Sequence, residues 1–357
     1  MRGIYIHIPF CKRKCPYCAF YSVKWTPGLW EAYLKALLSE ISKRGDKRGA
    51  DTLYIGGGTP SIIPPQDIAR ILSEVQKAFW PSLKEITIEA NPEGVSLPKV
   101  REWKAMGINR ISLGVQSWKE EELKQLGRIH TTEESRRAIS TLRSVGFYNI
   151  SIDLIWGKPH DTPKHWEKNL TETVNLEIPH ISAYAFTPEN GTPFGEAVNR
   201  GKVKLPPEED IEHFIEITLC KLADYIHYEV SNFAKPGFEC IHNILYWTRE
   251  EYIGFGASGC GYIKNKELRY QNPSSIKGYI NGEDEIREYL SPEEILEEKI
   301  MLGLRTNRGI NVQLVKHKKT IMEEMVEGKY AKIEGERLVP TSRGMYVADF
   351  WTRKFLS

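Results

Sequence analysis

Three of the six cysteines lie within eight residues, in the stretch CKRKCPYC. Cys11, Cys15 and Cys18 form a C-x3-C-x2-C pattern, which is short enough for one loop to turn three sulfur atoms towards a common centre. The basic residues 12–14 separate the first two cysteines, and positive neighbours favour the thiolate, the form of cysteine that binds metals. The spacing therefore predicts a thiolate metal site near the N-terminus.

Two metal centres suit three clustered thiolates. A structural zinc ion takes four protein ligands, so it would need His7 or a distant residue to complete the set. A four-iron cluster is usually held by thiolates, and with three of them one iron stays open to a chelating small molecule. The pattern favours the iron–sulfur cluster, and zinc binding or simple packing is the alternative.

The elements that must position this site alternate between strands and helices. Amphipathic stretches such as GLWEAYLKALLSEISKR separate six short apolar segments that are rich in β-branched and aromatic residues. Such alternation predicts parallel strands joined by right-handed crossovers. The six candidate strands are IYIHI (4–8), TLYIG (52–56), EITIEA (85–90), RISLGV (110–115), ISIDLIW (150–156) and HISAYAF (180–186).

The unusual residues all follow the carboxyl ends of these strands. The six stretches, in chain order, are the cysteine run, GGGTP, EANPE, VQS, DLIWG and TPENGTP. Six such units form either an open sheet or an incomplete barrel, and active sites of (β/α) barrels lie at the carboxyl ends of the strands. We therefore predict an α/β fold with an incomplete (β/α)6 barrel over residues 1–195.

The alternation stops beyond that point. Residues 196–280 are predicted to form an extension, with an acidic helix start followed by a stretch rich in glycine and aromatic residues. Residues 281–357 combine helix signals with a final hairpin-like stretch, GERLVPTSRGMYVADFW. This pattern predicts a small, mainly helical C-terminal domain similar to a winged helix.

Composition argues against a disordered, a membrane-spanning or a secreted disulfide-rich protein. Charged residues make up 27% of the chain, apolar residues 41%, and the formal net charge is +2, which fits a soluble globular protein and argues against a disordered one. The N-terminal apolar stretch is too short for a signal peptide, and no run reaches the ~20 apolar residues of a membrane span. Cys220, Cys240 and Cys260 are too scattered for a secreted disulfide framework. We expect a cytoplasmic protein, for which peripheral membrane contact stays open.

The cysteine pattern, with Tyr17 before the third cysteine, resembles the signature of the radical S-adenosylmethionine (SAM) superfamily. The resemblance implies a [4Fe-4S] cluster on Cys11, Cys15 and Cys18. It also implies that the methionine part of SAM chelates the open iron, and that an electron donor to the cluster is needed. In GGGTP, glycine lets the backbone approach the cofactor closely.

Six ordered motifs extend the resemblance over nearly the whole chain: YIHIPFC, GGGTPS, GVQS, LGRIHT, DLIWGKP and HNILYW. They are similar to those of oxygen-independent coproporphyrinogen III oxidases and of the related HemW-type haem chaperones. Three residues of these motifs also have a purely structural alternative to cofactor binding. Arg128 is then a solvated residue, Gln116 a backbone hydrogen-bond partner, and Asp153 a cap or turn residue. The SAM-binding residues that the resemblance implies are Tyr5, Tyr17, Gly57, Gly58, Thr59, Glu89, Gln116, Arg128, Asp153 and Thr187.

Two features favour the chaperones over the oxidases. The cysteine motif of the oxidases resembles C-x3-C-x2-C-x-C, with a fourth cysteine two residues after the third. Here Phe20 occupies the position of that fourth cysteine. The element HNILYW resembles the haem-binding motif of the chaperones, and neutral imidazole is a good axial ligand of haem iron. The resemblance therefore implies that haem is bound as cargo and passed to acceptor proteins, with porphyrinogen decarboxylation as the alternative. The residues implied for haem are His242, Asn243, Tyr246 and Trp247.

The sequence gives less support to nucleic-acid binding and to a second metal site. The basic runs KRGDKR and KHKK are typical of solvated faces, and the small net charge and absence of an RNA-reading motif argue against nucleic acid as a partner. Cys240, His242 and Cys260 could form a second metal site, although their spacing is loose and a buried structural cysteine is the default.

Overall fold

Six parallel strands form the centre of one large sheet. They pair with one another in chain order throughout the computed structural model, which describes residues 1–357. Each strand lies within two residues of its predicted bounds, which confirms the predicted α/β fold. The strands are β1 (Arg2–Ile8), β2 (Thr52–Gly57), β3 (Glu85–Ala90), β4 (Arg110–Gln116), β5 (Ile150–Trp156) and β6 (His180–Ala185).

Amphipathic helices connect these strands. The first helix buries Tyr33, Leu34, Leu37 and Ile41, whose spacing places them on one face against the core. Proline near the N-terminus of several of these helices suits a position whose N–H has no partner within the helix. The helices are α1 (Pro27–Arg44), α2 (Pro65–Phe79), α3 (Leu97–Ala105), α4 (Glu120–Gln125), α5 (Thr132–Ser144) and α6 (Pro163–Asn175).

The chain then adds strands to both sides of this sheet. It continues through α7 (Pro193–Asn199), α8 (Glu208–Lys221), β7 (Ile226–Glu229), β8 (Asn232–Ala234), α9 (Ile241–Trp247), β9 (Glu251–Phe255), β10 (Cys260–Ile263), β11 (Leu268–Gln271), α10 (Ile276–Asn281) and β12 (Ile286–Tyr289). The strand order is β12-β11-β10-β9-β1-β2-β3-β4-β5-β6-β8-β7. Strand β9 runs parallel to β1, whereas β8 is antiparallel to β6.

This order has two ends, β12 and β7, so the six central strands are flanked rather than closed on themselves. The predicted extension, residues 196–280, supplies five of the flanking strands. The sequence pattern did not predict these strands, because the regular alternation of strands and helices had already ended. Helix α9 packs beside β1, β2 and β9. The HNILYW element therefore lies against the first two strands of the barrel-like sheet.

The C-terminal part of the chain has a small core of its own. That core contains Ile300, Leu304, Met325, Leu338 and Trp351. It is formed by α11 (Pro292–Gly303), α12 (Lys319–Glu327), a three-stranded sheet of β13 (Ile310–Asn311), β14 (Ala331–Glu334) and β15 (Arg337–Pro340), in the order β13-β15-β14, and the last helix of the chain. The short helix α13 (Ser342–Tyr346) connects β15 to that last helix, α14 (Ala348–Leu356).

The division of the chain at residues 195 and 280 stays a prediction. The large sheet continues to residue 289, and the small core begins in α11. None of the helices combines the length and the apolar character that crossing a bilayer requires.

Candidate cofactor site

The cysteine loop joins β1 to α1. Its first cysteine belongs to a short parallel pairing of Phe10–Cys11 with Val23–Lys24, which fixes both ends of the loop. The backbone N–H of Cys18 donates to the carbonyl of Cys15 at 3.2 Å, so the second half of the loop is a tight turn. All three thiols are free and half-buried. One loop therefore carries three partly exposed thiols.

Neighbouring side chains contact two of the sulfur atoms. The hydroxyl of Thr59 donates to Sγ of Cys11 at 3.4 Å, and the guanidinium of Arg128 donates to Sγ of Cys15 at 3.7 Å. Hydrogen bonds and positive charge favour the thiolate. A Cβ on Gly58 would lie 2.7 Å from the carbonyl oxygen of Phe10 and 3.0 Å from Sγ of Cys11, so glycine is needed for this close approach. These contacts fit the thiolate ligands of an iron–sulfur cluster.

His7 does not suit the zinc alternative. Its Nδ1 is hydrogen-bonded to the hydroxyl of Tyr5 at 3.0 Å, and its Nε2 to the carbonyl of Tyr21 at 3.3 Å. Burial also lowers the pKa of this imidazole. Because both ring nitrogens already have partners, His7 cannot complete a four-ligand set in this arrangement.

A cavity of about 550 Å³ lies beside the cysteine loop. Cys18 and Phe20 form part of its wall. Nine of the ten residues implied for SAM line the same cavity: Tyr17, Gly57, Gly58, Thr59, Glu89, Gln116, Arg128, Asp153 and Thr187. Because the carboxyl ends of the parallel strands meet here, side chains from distant parts of the sequence come together at one rim.

Two buried carboxyl groups give the cavity its electrostatic character. Oε2 of Glu89 accepts from the backbone N–H of Gly57, and Oε1 accepts from the hydroxyl of Tyr54, both at 2.9 Å. Burial and the charge of Asp153 raise the pKa of Glu89 to about 7. Burial likewise raises the pKa of Asp153, to which Ser112 donates at 3.3 Å. A cavity with two desolvated carboxyl groups suits a cationic ligand, which would favour their charged forms.

Arg128 is held by other residues of the cavity instead of being solvated. Its guanidinium donates to Oδ1 of Asn91 and, at 3.0 Å, to the carbonyl of Gly114. Nδ2 of Asn91 donates to the hydroxyl of Thr59 at 3.3 Å. Asn91 thus connects the two groups that contact the cysteines. Sequence reasoning missed Asn91, although it lies in the EANPE stretch, and also missed Ser112 and Tyr184, which line the cavity.

Gln116 has an unusual backbone conformation. Its φ is +68°, in the left-handed region, and the pairing of β4 with β5 shifts between Leu113 and Gln116. Residues other than glycine in this region cost roughly 1–3 kcal/mol and cluster at functional sites. A Cβ on Gly114 would lie 2.9 Å from Nε2 of Gln116, so the neighbouring glycine leaves room for this amide. The end of β4 is therefore irregular where it meets the cavity.

Tyr5 is the implied SAM residue that does not line the cavity. Its hydroxyl is hydrogen-bonded to His7, and its ring lies 6.1 Å from that of Tyr54 and 6.5 Å from that of His242. Tyr5 therefore belongs to an aromatic group between the cavity and α9.

The HNILYW element forms α9, and its histidine is fully buried. Nδ1 of His242 is hydrogen-bonded to the hydroxyl of Thr52 and Nε2 to that of Tyr246, both at 2.7 Å. The ring stacks on Tyr54 with centroids 5.2 Å apart. Burial, with a contribution from the charge of Arg110, lowers the pKa of His242 to about 3. The imidazole is therefore neutral, but both of its nitrogens are engaged. Asn243 and Trp247 are half-buried.

The remaining cysteines do not form a second metal site. Cys240 is buried with Sγ 3.5 Å from Glu85, and burial raises the pKa of its thiol to about 12. Cys220 and Cys260 are exposed. The ligand atoms of Cys240, His242 and Cys260 do not all lie within 4.8 Å of one another, so they do not form a common set of ligands.

A separate cluster of possible metal ligands already contains a cation. Donor atoms of Glu122, Asp161 and His165 lie within 4.8 Å of one another. The fully buried ammonium of Lys158 lies 2.9 Å from Glu122 and 2.8 Å from Asp161. Lys158 therefore occupies the position that a metal ion would take.

Comparison with known proteins adds independent findings. Residues 5–172 match the radical SAM superfamily, and residues 290–347 match the HemN C-terminal domain. The chain is 37% identical to the heme chaperone HemW of Bacillus subtilis, over 87% of this chain and 85% of that protein. It is 35% identical to the heme chaperone HemW of Lactococcus lactis, over 99% of this chain and 96% of that protein.

A solved structure has the same fold over the full length. It is the radical SAM enzyme coproporphyrinogen III oxidase (HemN) from Escherichia coli, with a TM-score of 0.83 and 21% sequence identity. The match covers 100% of this chain and 90% of that chain. At this identity the likeness concerns the fold alone.

Proposed function

The chain belongs to the radical SAM superfamily and, within it, to the family of HemW-type haem chaperones, and on that premise we propose that it binds haem and transfers it to acceptor proteins. The observation that carries this proposal is the relatedness to curated haem chaperones over nearly the whole chain. Phe20 supports the proposal, because its exposed aromatic ring borders the cavity at the position of the fourth cysteine in the oxidase pattern.

The chain carries a [4Fe-4S] cluster and SAM as resident cofactors in this proposal. Cys11, Cys15 and Cys18 would hold the cluster, and the carboxyl groups of Glu89 and Asp153 would accept hydrogen bonds from the amino group or the ribose hydroxyls of SAM. When bound, the cluster supplies one electron to the SAM sulfonium. The protein acts in the cytoplasm, where a reductant donates to the cluster and acceptor proteins receive the haem.

Haem binds at the HNILYW element through His242. The low pKa of this histidine keeps the imidazole neutral, which is the form that coordinates iron. Coordination requires that Nε2 give up its hydrogen bond to Tyr246, because the lone pairs of both nitrogens are otherwise engaged or protonated. Haem binding is therefore coupled to a local rearrangement of α9.

The test is an anaerobic haem titration of the cluster-reconstituted protein, followed by the Soret band. We expect stoichiometric binding by the wild type and loss of that spectrum in His242→Ala. The matched control is His213→Ala, whose side chain is 61% exposed on α8 and which should bind haem normally. A protein that assembles the cluster but binds no haem would instead be assayed for decarboxylation of coproporphyrinogen III, and activity there would replace the chaperone function.

A further inference from the structure

A second large cleft lies between the end of α9 and the C-terminal elements. Its volume is about 750 Å³. An adjoining cavity of about 410 Å³ shares Trp247 and Thr248 with it, together with the loop 306–308. Trp247, the last residue of the HNILYW element, therefore borders both spaces.

Two of the five basic side chains in this cleft are neutralised by carboxylates. Arg249 pairs with Glu267 at 2.8 Å and with Glu298 at 2.6 Å. Lys264 pairs with Glu250 at 3.0 Å. Their charges are therefore committed to the surrounding structure.

The other three basic side chains have no carboxylate partner. Arg337 donates to the backbone carbonyls of Arg308 and Gly309, both at 2.6 Å, which fixes its guanidinium without neutralising its charge. Lys299 and Arg308 make no ion pair, and both are exposed. The single acidic residue of the lining, Glu334, pairs with a different lysine. The cleft therefore carries about three uncompensated positive charges.

The rest of the lining indicates the shape and polarity of the ligand. Trp247, Ile310, Leu314 and Val339 provide apolar surface beside these charges. Aromatic rings favour stacking on flat molecules, and arginine pairs with carboxylates through two parallel hydrogen bonds. A flat, apolar molecule with carboxylate groups matches both properties, and haem, with two propionates, is such a molecule.

We infer that this cleft binds the haem propionates, with Lys299, Arg308 and Arg337 facing the carboxylates and Trp247 against the edge of the macrocycle. The inference rests on the proposed function and adds a part of the haem site that belongs to the C-terminal elements. His242 and Trp247 lie five positions apart on α9, an axial rise of about 7.5 Å but a rotation of about 140° around the helix. One macrocycle therefore contacts both residues only after the rearrangement of α9 that coordination by His242 already requires. The C-terminal elements thus contribute the specificity for the propionates, and His242 contributes the bond to iron.

The experiment reverses two of the three charges in the full-length, cluster-reconstituted protein. In Lys299→Glu/Arg308→Glu we expect haem affinity to fall at least ~10-fold, because charge-assisted contacts to both propionates are lost. The matched control is Lys35→Glu/Lys168→Glu, which changes the net charge equally at exposed positions of α1 and α6 and should leave the affinity unchanged. Circular dichroism and urea unfolding check that both variants are folded.

Haem dimethyl ester, which lacks the free propionates, isolates the carboxylates from the rest of the ligand. The wild type should bind the ester at least ~10-fold more weakly than haem, and the double variant should bind the ester as the wild type does. Metal-free protoporphyrin should still bind to His242→Ala but not to the double variant.

The outcomes separate the two proposals. Equal haem affinity in the folded double variant, or equal affinity of the wild type for haem and its ester, would overturn the propionate site while the chaperone function stands. Absence of haem binding in the wild type would overturn the chaperone function itself.

Discussion

Substituting Tyr246 by phenylalanine should make the protein bind haem more tightly. The hydroxyl of Tyr246 is hydrogen-bonded to Nε2 of His242 at 2.7 Å, and haem iron competes with it for that nitrogen. Phenylalanine keeps the ring, which contacts His242 edge-on at 5.0 Å and Tyr252 at 4.6 Å, and removes only the hydroxyl. The substitution therefore stabilises the arrangement in which His242 can coordinate iron.

The size of the effect follows from one hydrogen bond. A buried hydrogen bond contributes about 0.5–1.5 kcal/mol net. The apparent dissociation constant of a ligand equals its intrinsic dissociation constant divided by the fraction of protein in the binding-competent arrangement. Removing this hydrogen bond raises that fraction and should lower the apparent dissociation constant of haem roughly 2- to 12-fold. His242→Ala, which removes the ligand itself, should have the opposite effect.

The assay is the anaerobic Soret titration of wild type, Tyr246→Phe and a control. Tyr225→Phe is the control, because it removes a hydrogen bond of the same length, 2.7 Å to the carbonyl of Ile178, without touching α9. Unchanged or weaker haem binding by Tyr246→Phe would refute the idea that this hydrogen bond opposes coordination by His242.

Three further predictions concern stability and cofactor content. Lys158→Met leaves two buried carboxylates without their cation and should lower the free energy of unfolding by about 3–5 kcal/mol in urea, whereas Lys77→Met, at a side chain 71% exposed, should change it by less than about 0.5 kcal/mol. Because burial raises the pKa of Glu89 from 4.5 to about 7, the folded state keeps a proton that the unfolded chain releases. The contribution of Glu89 to the free energy of unfolding should therefore fall as the pH rises from about 4.5 to about 7. Glu89→Gln should remove that contribution and make the slope less negative, whereas Glu229, whose pKa burial also raises to about 7, keeps its own contribution. A slope unchanged in the variant would contradict the assignment. Gly58→Ala places a methyl group 3.0 Å from a cysteine sulfur and should lower the iron bound per chain, while Gly28→Ala, with nothing within 4 Å, should not.

The central strands could be predicted from the sequence because strands buried on both faces are almost continuously apolar. Segments such as ISIDLIW therefore carry their structure locally. The pairing of β9 with β1 could not be predicted in this way, since Glu251 lies opposite Arg2 from the far part of the chain. A short apolar stretch does not specify its partner.

The site could be predicted in outline for a similar reason. The residues at strand ends are close in the fold because parallel strands finish at one edge, so the strand pattern indicated the rim. The family resemblance, and not the spacing, then identified most of the residues that line the cavity. Asn91 was missed because asparagine after a strand is also an ordinary turn residue. Nδ1 of His242 is hydrogen-bonded to Thr52, which lies 190 positions away in the sequence, and no local pattern reveals such a contact.

One aromatic side chain, Tyr54, is shared by the two ligand regions. Its hydroxyl donates to Glu89 in the cavity, and its ring stacks on His242 in α9. Energetic changes at residues joined through a common neighbour do not add, and any influence of one ligand on the affinity of another is reciprocal. Under the proposed function, haem affinities should therefore be compared only between samples with equal SAM occupancy, and the effects of Glu89 and His242 substitutions should be read from a double-mutant cycle.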